Sequence, residues 1–164
     1  MTIIRKQIIL WICTLLLTAF SDGVQGASYF HVVTQNANTE TAGDPFSVTV
    51  AARDISGGTD TSYTDSHYIT WQSNAADSPN GWSPQPPLNG TLTFLEGAAT
   101  VENCILTAAG TCTLSASDGA ISGTSPTIEV YPGTATQFKL SAPSTVMAGS
   151  AFSLSYLRAC DLYG

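Results

Sequence analysis

From Ser28 onward, short runs of alternating apolar and polar residues are separated by turn residues. The runs are Tyr29–Thr34, Phe46–Arg53, Tyr68–Gln72, Thr91–Leu95, Ala99–Leu106, Thr111–Ser117 and Thr127–Tyr131. Within Phe46–Val50, the residues Phe46, Val48 and Val50 fall on one side of an extended chain, and Ser47 and Thr49 on the other. Within Thr111–Ser117, Cys112, Leu114 and Ala116 alternate with Thr and Ser. A period of two in β-branched sequence predicts half-buried antiparallel strands. The connections carry Ala42-Gly43-Asp44-Pro45, Gly57-Gly58, Ser78-Pro79-Asn80-Gly81, Asn89-Gly90 and Asp118-Gly119, residue types suited to tight turns. The pattern predicts an all-β chain, with about seven strands over about a hundred residues arranged as a two-sheet antiparallel sandwich. That length suffices for a core of its own.

The pattern also repeats. Thr41-Ala42-Gly43-Asp44-Pro45-Phe46-Ser47-Val48 corresponds to Met147-Ala148-Gly149-Ser150-Ala151-Phe152-Ser153-Leu154, with Phe46 and Phe152 separated by 106 positions. Asp54-Ile55-Ser56-Gly57 corresponds to Asp161-Leu162-Tyr163-Gly164, now 107 positions apart. The second copy thus holds one extra residue, which fits a β-bulge in its second strand. The expected organisation is a β-sandwich over 27–132, followed over 133–164 by an incomplete second repeat. A remnant that short is not expected to bury both faces of a sheet.

The N-terminus departs from this pattern. Arg5 and Lys6 precede an unbroken stretch, Ile8–Ala19, that carries no charge, and Val24-Gln25-Gly26 offers a small-residue exit before Ala27. This layout predicts a cleavable signal peptide over 1–26, because the stretch falls short of the roughly 18–20 apolar residues of a membrane span. The mature chain would be secreted or held at a cell surface, with no membrane span of its own. Cleavage removes Arg5, Lys6 and Asp22 and leaves 3 basic and 11 acidic side chains, a net charge of about −8. Such a chain repels phosphate backbones, so nucleic acid is not an expected partner.

The boundary phrase Ala135-Thr136-Gln137-Phe138-Lys139-Leu140-Ser141-Ala142-Pro143, running on to Phe152-Ser153, resembles the opening of bacterial immunoglobulin-like repeats of the Big or invasin-like kind. Ala109–Gly119 resembles their penultimate strand, where Cys112 takes a position often held by an aromatic residue. The resemblance covers roughly residues 28–164 and implies an immunoglobulin-like sandwich within a tandem array on an exported surface protein. Neighbouring repeats would be its partners, with a surface glycan or protein as a further one. The resemblance carries no activity, since fold alone does not give function.

Candidate chemistry is sparse. Trp71 alternates with Ile69 and is expected in the core. Trp82, in the Pro- and Gly-rich segment 77–87, is the main ligand candidate, with Tyr63 and Tyr68 beside it as stacking surfaces for a sugar. A place packed beneath Pro84, Pro86 and Pro87 is the alternative for Trp82. Asp54, Asp60, Asp65 and Asp77 sit in turns without metal-ligand spacing, so solvated carboxylates are expected and no metal or other cofactor is predicted. His31 and His67 accompany no nucleophile motif, so no catalytic residue is assigned and no enzyme is expected. Cys104 and Cys112 flank the turn Thr107–Gly110. In an oxidising compartment they are candidates for a disulfide, the alternative being two small buried apolar side chains. The reading is a non-enzymatic spacer or adhesion module, with a carbohydrate-binding module as its rival.

Overall fold

A computed structural model describes residues 26–164. The predicted leader therefore lies, apart from Gly26, outside the described residues. Every regular element within them is a strand. The first eight are β1 (Tyr29–Thr34), β2 (Thr39–Thr41), β3 (Phe46–Arg53), β4 (Asp65–Ser73), β5 (Gly90–Phe94), β6 (Ala98–Cys104), β7 (Gly110–Cys112) and β8 (Leu114–Ser117). The remaining four are β9 (Ser122–Thr124), β10 (Ile128–Tyr131), β11 (Gln137–Ser141) and β12 (Tyr156–Cys160). They form small sheets ordered β1-β3-β6, β5-β4-β8-β9, β2-β10-β7 and β11-β12. All pairings are antiparallel except β2 with β10, which run parallel.

The alternation seen in the sequence decides which side of each strand is buried. Phe30 and Val32 of β1, Val48 and Val50 of β3, and Ala99 of β6 point into one core from one layer. Ile69 and Trp71 of β4, Phe94 of β5, Leu114 and Ala116 of β8, and Ile128 and Val130 of β10 enter it from the other strands. Each fully buried Val, Ile, Leu or Phe contributes roughly 1.5–3 kcal/mol, so this shared core is what holds the layers together.

Thr111–Ser117, a single run in the sequence, is divided at Thr113. The Thr113 amide donates to Asn74 Oδ1 at 2.7 Å instead of to a ladder. β7 pairs with β10, whereas β8 pairs with β4 and β9. The strand opposite breaks at Ser125-Pro126, where the proline supplies no N–H to a ladder. Ser125 covers the gap by accepting the Leu114 amide on Oγ at 3.1 Å and donating its own amide to the Leu114 carbonyl at 2.8 Å. Leu95-Glu96-Gly97-Ala98 is a two-residue turn with positive φ at both Glu96 and Gly97. Here the chain passes from the layer of β5 to that of β6. A register shift sits in β6, where two residues separate Val101 from Cys104 while one separates Phe46 from Val48, and Asn103 adopts φ +61°.

The hairpin β11–β12 reproduces the pairing of β1 with β3. Phe30 faces Ala52 and Val32 faces Val50; Phe138 faces Ala159 and Leu140 faces Leu157. Ser28 donates to the Arg53 carbonyl, and Thr136 donates likewise to that of Cys160. Thr41–Asp44 and Met147–Ser150 are the same turn, each closed at 3.1 Å with a positive-φ glycine in its third position, Gly43 or Gly149. Asp54 Oδ1 accepts the Ser56 and Gly58 amides; Asp161 Oδ1 accepts those of Tyr163 and Gly164. The β11–β12 ladder is unbroken from Tyr156 to Cys160. The extra residue of the second copy therefore lies ahead of the paired strand, between Phe152 and Tyr156, and not in a bulge.

Candidate functional site

The three aromatic ligand candidates occupy separate places. Tyr63 precedes β4. Its ring stacks on His67 with centroids 4.2 Å apart, and meets Phe94 and Phe30 edge-on at 4.9 and 5.7 Å. Its hydroxyl donates to Asp118 Oδ2 at 2.5 Å, while Asp118 Oδ1 accepts the Ala120 and Ile121 amides at 2.8 Å each. Burial raises the Tyr63 phenol, and the Asp118 carboxylate raises it further. Burial also pushes the Asp118 carboxyl upward. The Tyr63 hydroxyl, the Ile121 and Ala120 amides and the neighbouring His67 outweigh that and hold it below the usual carboxylate value. His67 Nε2 lies 2.8 Å from the Thr64 carbonyl, which assigns the proton to that nitrogen. The cluster ties the start of β4 to the β8–β9 turn.

Tyr68 follows His67 and so faces the other side of β4. It is 60% exposed. Beside it, the outer faces of β4, β8 and β9 form a shallow groove of about 330 Å³ lined by Thr70, Gln72, Ser115, Ser117, Ser122 and Thr124 with no ionisable group. Trp82 lies beyond the far end of β4. It is 54% exposed rather than packed beneath the prolines, and its ring meets Tyr163 edge-on at 6.1 Å. Its backbone is fixed: Ser78 N donates to Trp82 O at 2.8 Å, Thr107 Oγ1 donates to the same oxygen at 2.9 Å, and Trp82 N donates to Ser78 Oγ at 3.0 Å. The geometry thus brings no two of Tyr63, Tyr68 and Trp82 together.

The turn carboxylates serve their own loops. The Ser56 hydroxyl and nearby amides hold Asp54 below the usual value, and the Ser62 hydroxyl does the same for Asp60. Among the described residues, no three His, Cys, Asp or Glu side chains gather closely enough to hold a metal ion. Cys104, Cys112 and Cys160 are free thiols, each buried. Burial, then the charge of Glu102, pushes the Cys104 thiol up to about 11, and burial raises Cys112 as well. Thiols in such surroundings are poor nucleophiles. Trp71, 8% exposed, is a core residue whose indole N–H has no partner among the described residues. Glu40, which no sequence signal marks, is 3% exposed. One carboxylate oxygen accepts Asn36 Nδ2 at 2.9 Å, and the other has no partner among the described residues.

A cleft of about 370 Å³ lies between the loops around Asp77 and Thr107 and the strand β12, lined in part by Asp77, Pro79, Thr107, Arg158, Cys160 and Tyr163. No protein family, curated protein or solved structure matches the chain.

Proposed function

We propose that this chain is a non-enzymatic, exported immunoglobulin-like module serving as a spacer or adhesion unit of a cell-surface protein. The observation that carries the reading is the repetition of the opening hairpin. β11–β12 shares with β1–β3 its pairing register, its glycine turn and its Asp-capped exit. Tandem units of this kind extend a chain stepwise.

The strand partition supports an immunoglobulin-like sandwich, with β1, β3 and β6 in one layer against β4, β8 and β9. β5 pairs with β4 and not with β6, a switched version of that plan. The inward residues of the second hairpin also support a second unit. Phe30 and Val32 are buried under the opposite layer, whereas their counterparts Phe138 and Leu140 are 75% and 58% exposed. In this reading β11–β12 opens an incomplete second repeat.

The rival is a carbohydrate-binding module. One observation favours it, namely that Tyr68 stands on an uncharged, hydroxyl-lined face suited to a neutral sugar chain. Retention of the full chain on insoluble polysaccharides and on a glycan array separates the two readings. A spacer passes through unretained. Retention abolished by Tyr68→Ala or Trp82→Ala overturns the spacer reading. Export is checked independently by N-terminal sequencing of the mature chain, which should begin at Ala27.

A further inference from the structure

We infer that the end of the first unit around Gly43, Asn80 and Trp82 is a socket for the opening turn of the following unit, so that consecutive units are held at a fixed angle. The inference rests on the reading of β11–β12 as the start of a second repeat. Between domains joined by a short linker, relative motion is the ordinary expectation unless the interface is built to prevent it. Here two segments of the first unit, the turn at Gly43 and the loop at Asn80, converge with the linker at Gly133 on the single turn Asp161–Gly164.

Asp161 is 7% exposed, unusually low for a carboxylate, and both its oxygens are engaged. Oδ1 shapes its own turn through the Tyr163 and Gly164 amides at 2.9 and 2.8 Å. Oδ2 reaches back to accept the Gly133 amide at 2.7 Å, fastening the linker to the far end of the hairpin. Hydrogen bonds to a charged acceptor are the stronger kind. Asn80, in the loop after β4, adds a second clamp. Its amide donates to the Tyr163 carbonyl at 3.1 Å, its Nδ2 donates to the Leu162 carbonyl at 2.8 Å, and its Oδ1 accepts Lys139 Nζ at 2.6 Å.

The third contact explains a difference between the two copies. Two residues after the capping aspartate, the first unit has Ser56, which is exposed and bonds back to Asp54. The second unit has Tyr163 there, half-buried, with its ring lying directly on Gly43. A β-carbon on residue 43 would overlap that ring. Gly43 therefore serves twice: its φ of +88° closes the turn, and its bare backbone admits the tyrosine. Trp82 flanks the same ring. The aromatic residue appears in the copy that follows the unit carrying Gly43 and Trp82. The partner this socket fits is thus a following repeat whose second strand exits through Asp-Leu-Tyr-Gly.

Amide ¹⁵N relaxation on the full chain tests the inference. In the native protein the β11–β12 amides should match those of β3, with order parameters of about 0.85. Tyr163→Ser, which installs the first unit's residue, and Gly43→Ala, which evicts the ring, should each drop the hairpin below about 0.6. An unchanged pattern over β3, β4 and β8 shows that each variant folds. A native hairpin already below about 0.6, or a hairpin unmoved by both variants, overturns the socket. Glycan retention bears on the spacer reading alone, so the two fail separately.

Discussion

Gly123 of β9 lies against the Phe30 carbonyl of β1, with no room between them for a methyl group. This contact brings an edge of one layer onto the edge of the other, and it fixes how the layers close. Gly123→Ala should lower stability by about 2 kcal/mol or more, because backbone must move to admit the new carbon. A urea denaturation midpoint unchanged from the parent would show that the edge yields freely.

Trp71 of β4 is buried with an indole N–H that has no partner among the described residues, while its backbone amide donates to Asn89 Oδ1 at 2.6 Å. Trp71→Phe keeps most of the buried ring and deletes the unsatisfied donor, so it should cost only about 1 kcal/mol, against about 3–5 for Trp71→Ala. Equal losses in the two variants, read from chemical denaturation, would mean that ring volume is not what matters there.

Tyr63→Phe removes the hydrogen bond to Asp118 and should cost about 1 kcal/mol near neutral pH. It should also alter the acid flank. Asp118 titrates below the ordinary carboxylate value in the folded chain. The unfolded chain thus binds the proton first, and the stabilisation is complete above about pH 4 and lost as pH falls through the folded value. Without the tyrosine hydroxyl the folded value rises, so stability should decline less steeply below pH 4. Asp54 and Asp60, lowered by their own serines, keep their share of the slope. Parallel stability-versus-pH curves for variant and parent would dissociate the pair.

Cys104 and Cys112 should resist iodoacetamide in the folded protein at pH 7.5, since both are buried and the Cys104 thiol titrates near 11. Alkylation in urea without reductant, followed by peptide mapping, should then label both. If neither is labelled until reductant is added, they are joined.

The strands were legible because period-two alternation survives wherever one face is buried. Phe46–Arg53 and Tyr29–Thr34 match their observed bounds for that reason. β2 and β9 were not foreseen: Thr39–Thr41 and Ser122–Thr124 are too short to show a period, and pairing with the distant β10 and with the adjacent β8 makes them strands. The break at Thr113 was equally invisible, since it depends on Asn74, thirty-nine positions away. Aromatic residues could be named as candidates but not located relative to one another. Their separation follows from β4, which sends Tyr68 to one side and His67 to the other, and carries Tyr63 and Trp82 to opposite ends. Gly43 read only as a turn residue, because its second task depends on a ring 120 positions further on.

The one parallel pairing among the described residues, β2 with β10, has a bearing on load. Parallel neighbours place the incoming end of β2 and the outgoing end of β10 at opposite ends of the pair. Tension applied along the chain from both sides therefore strains Glu129↔Thr39, Val130↔Glu40 and Tyr131↔Thr41 together, in shear, instead of peeling them one by one. The flanking bonds from Glu129 N to Asn38 O at 2.9 Å and from Ala42 N to Tyr131 O at 2.8 Å lie in the same line of pull. A three-residue strand thus resists in shear any tension that would draw Thr39–Thr41 away from Glu129–Tyr131.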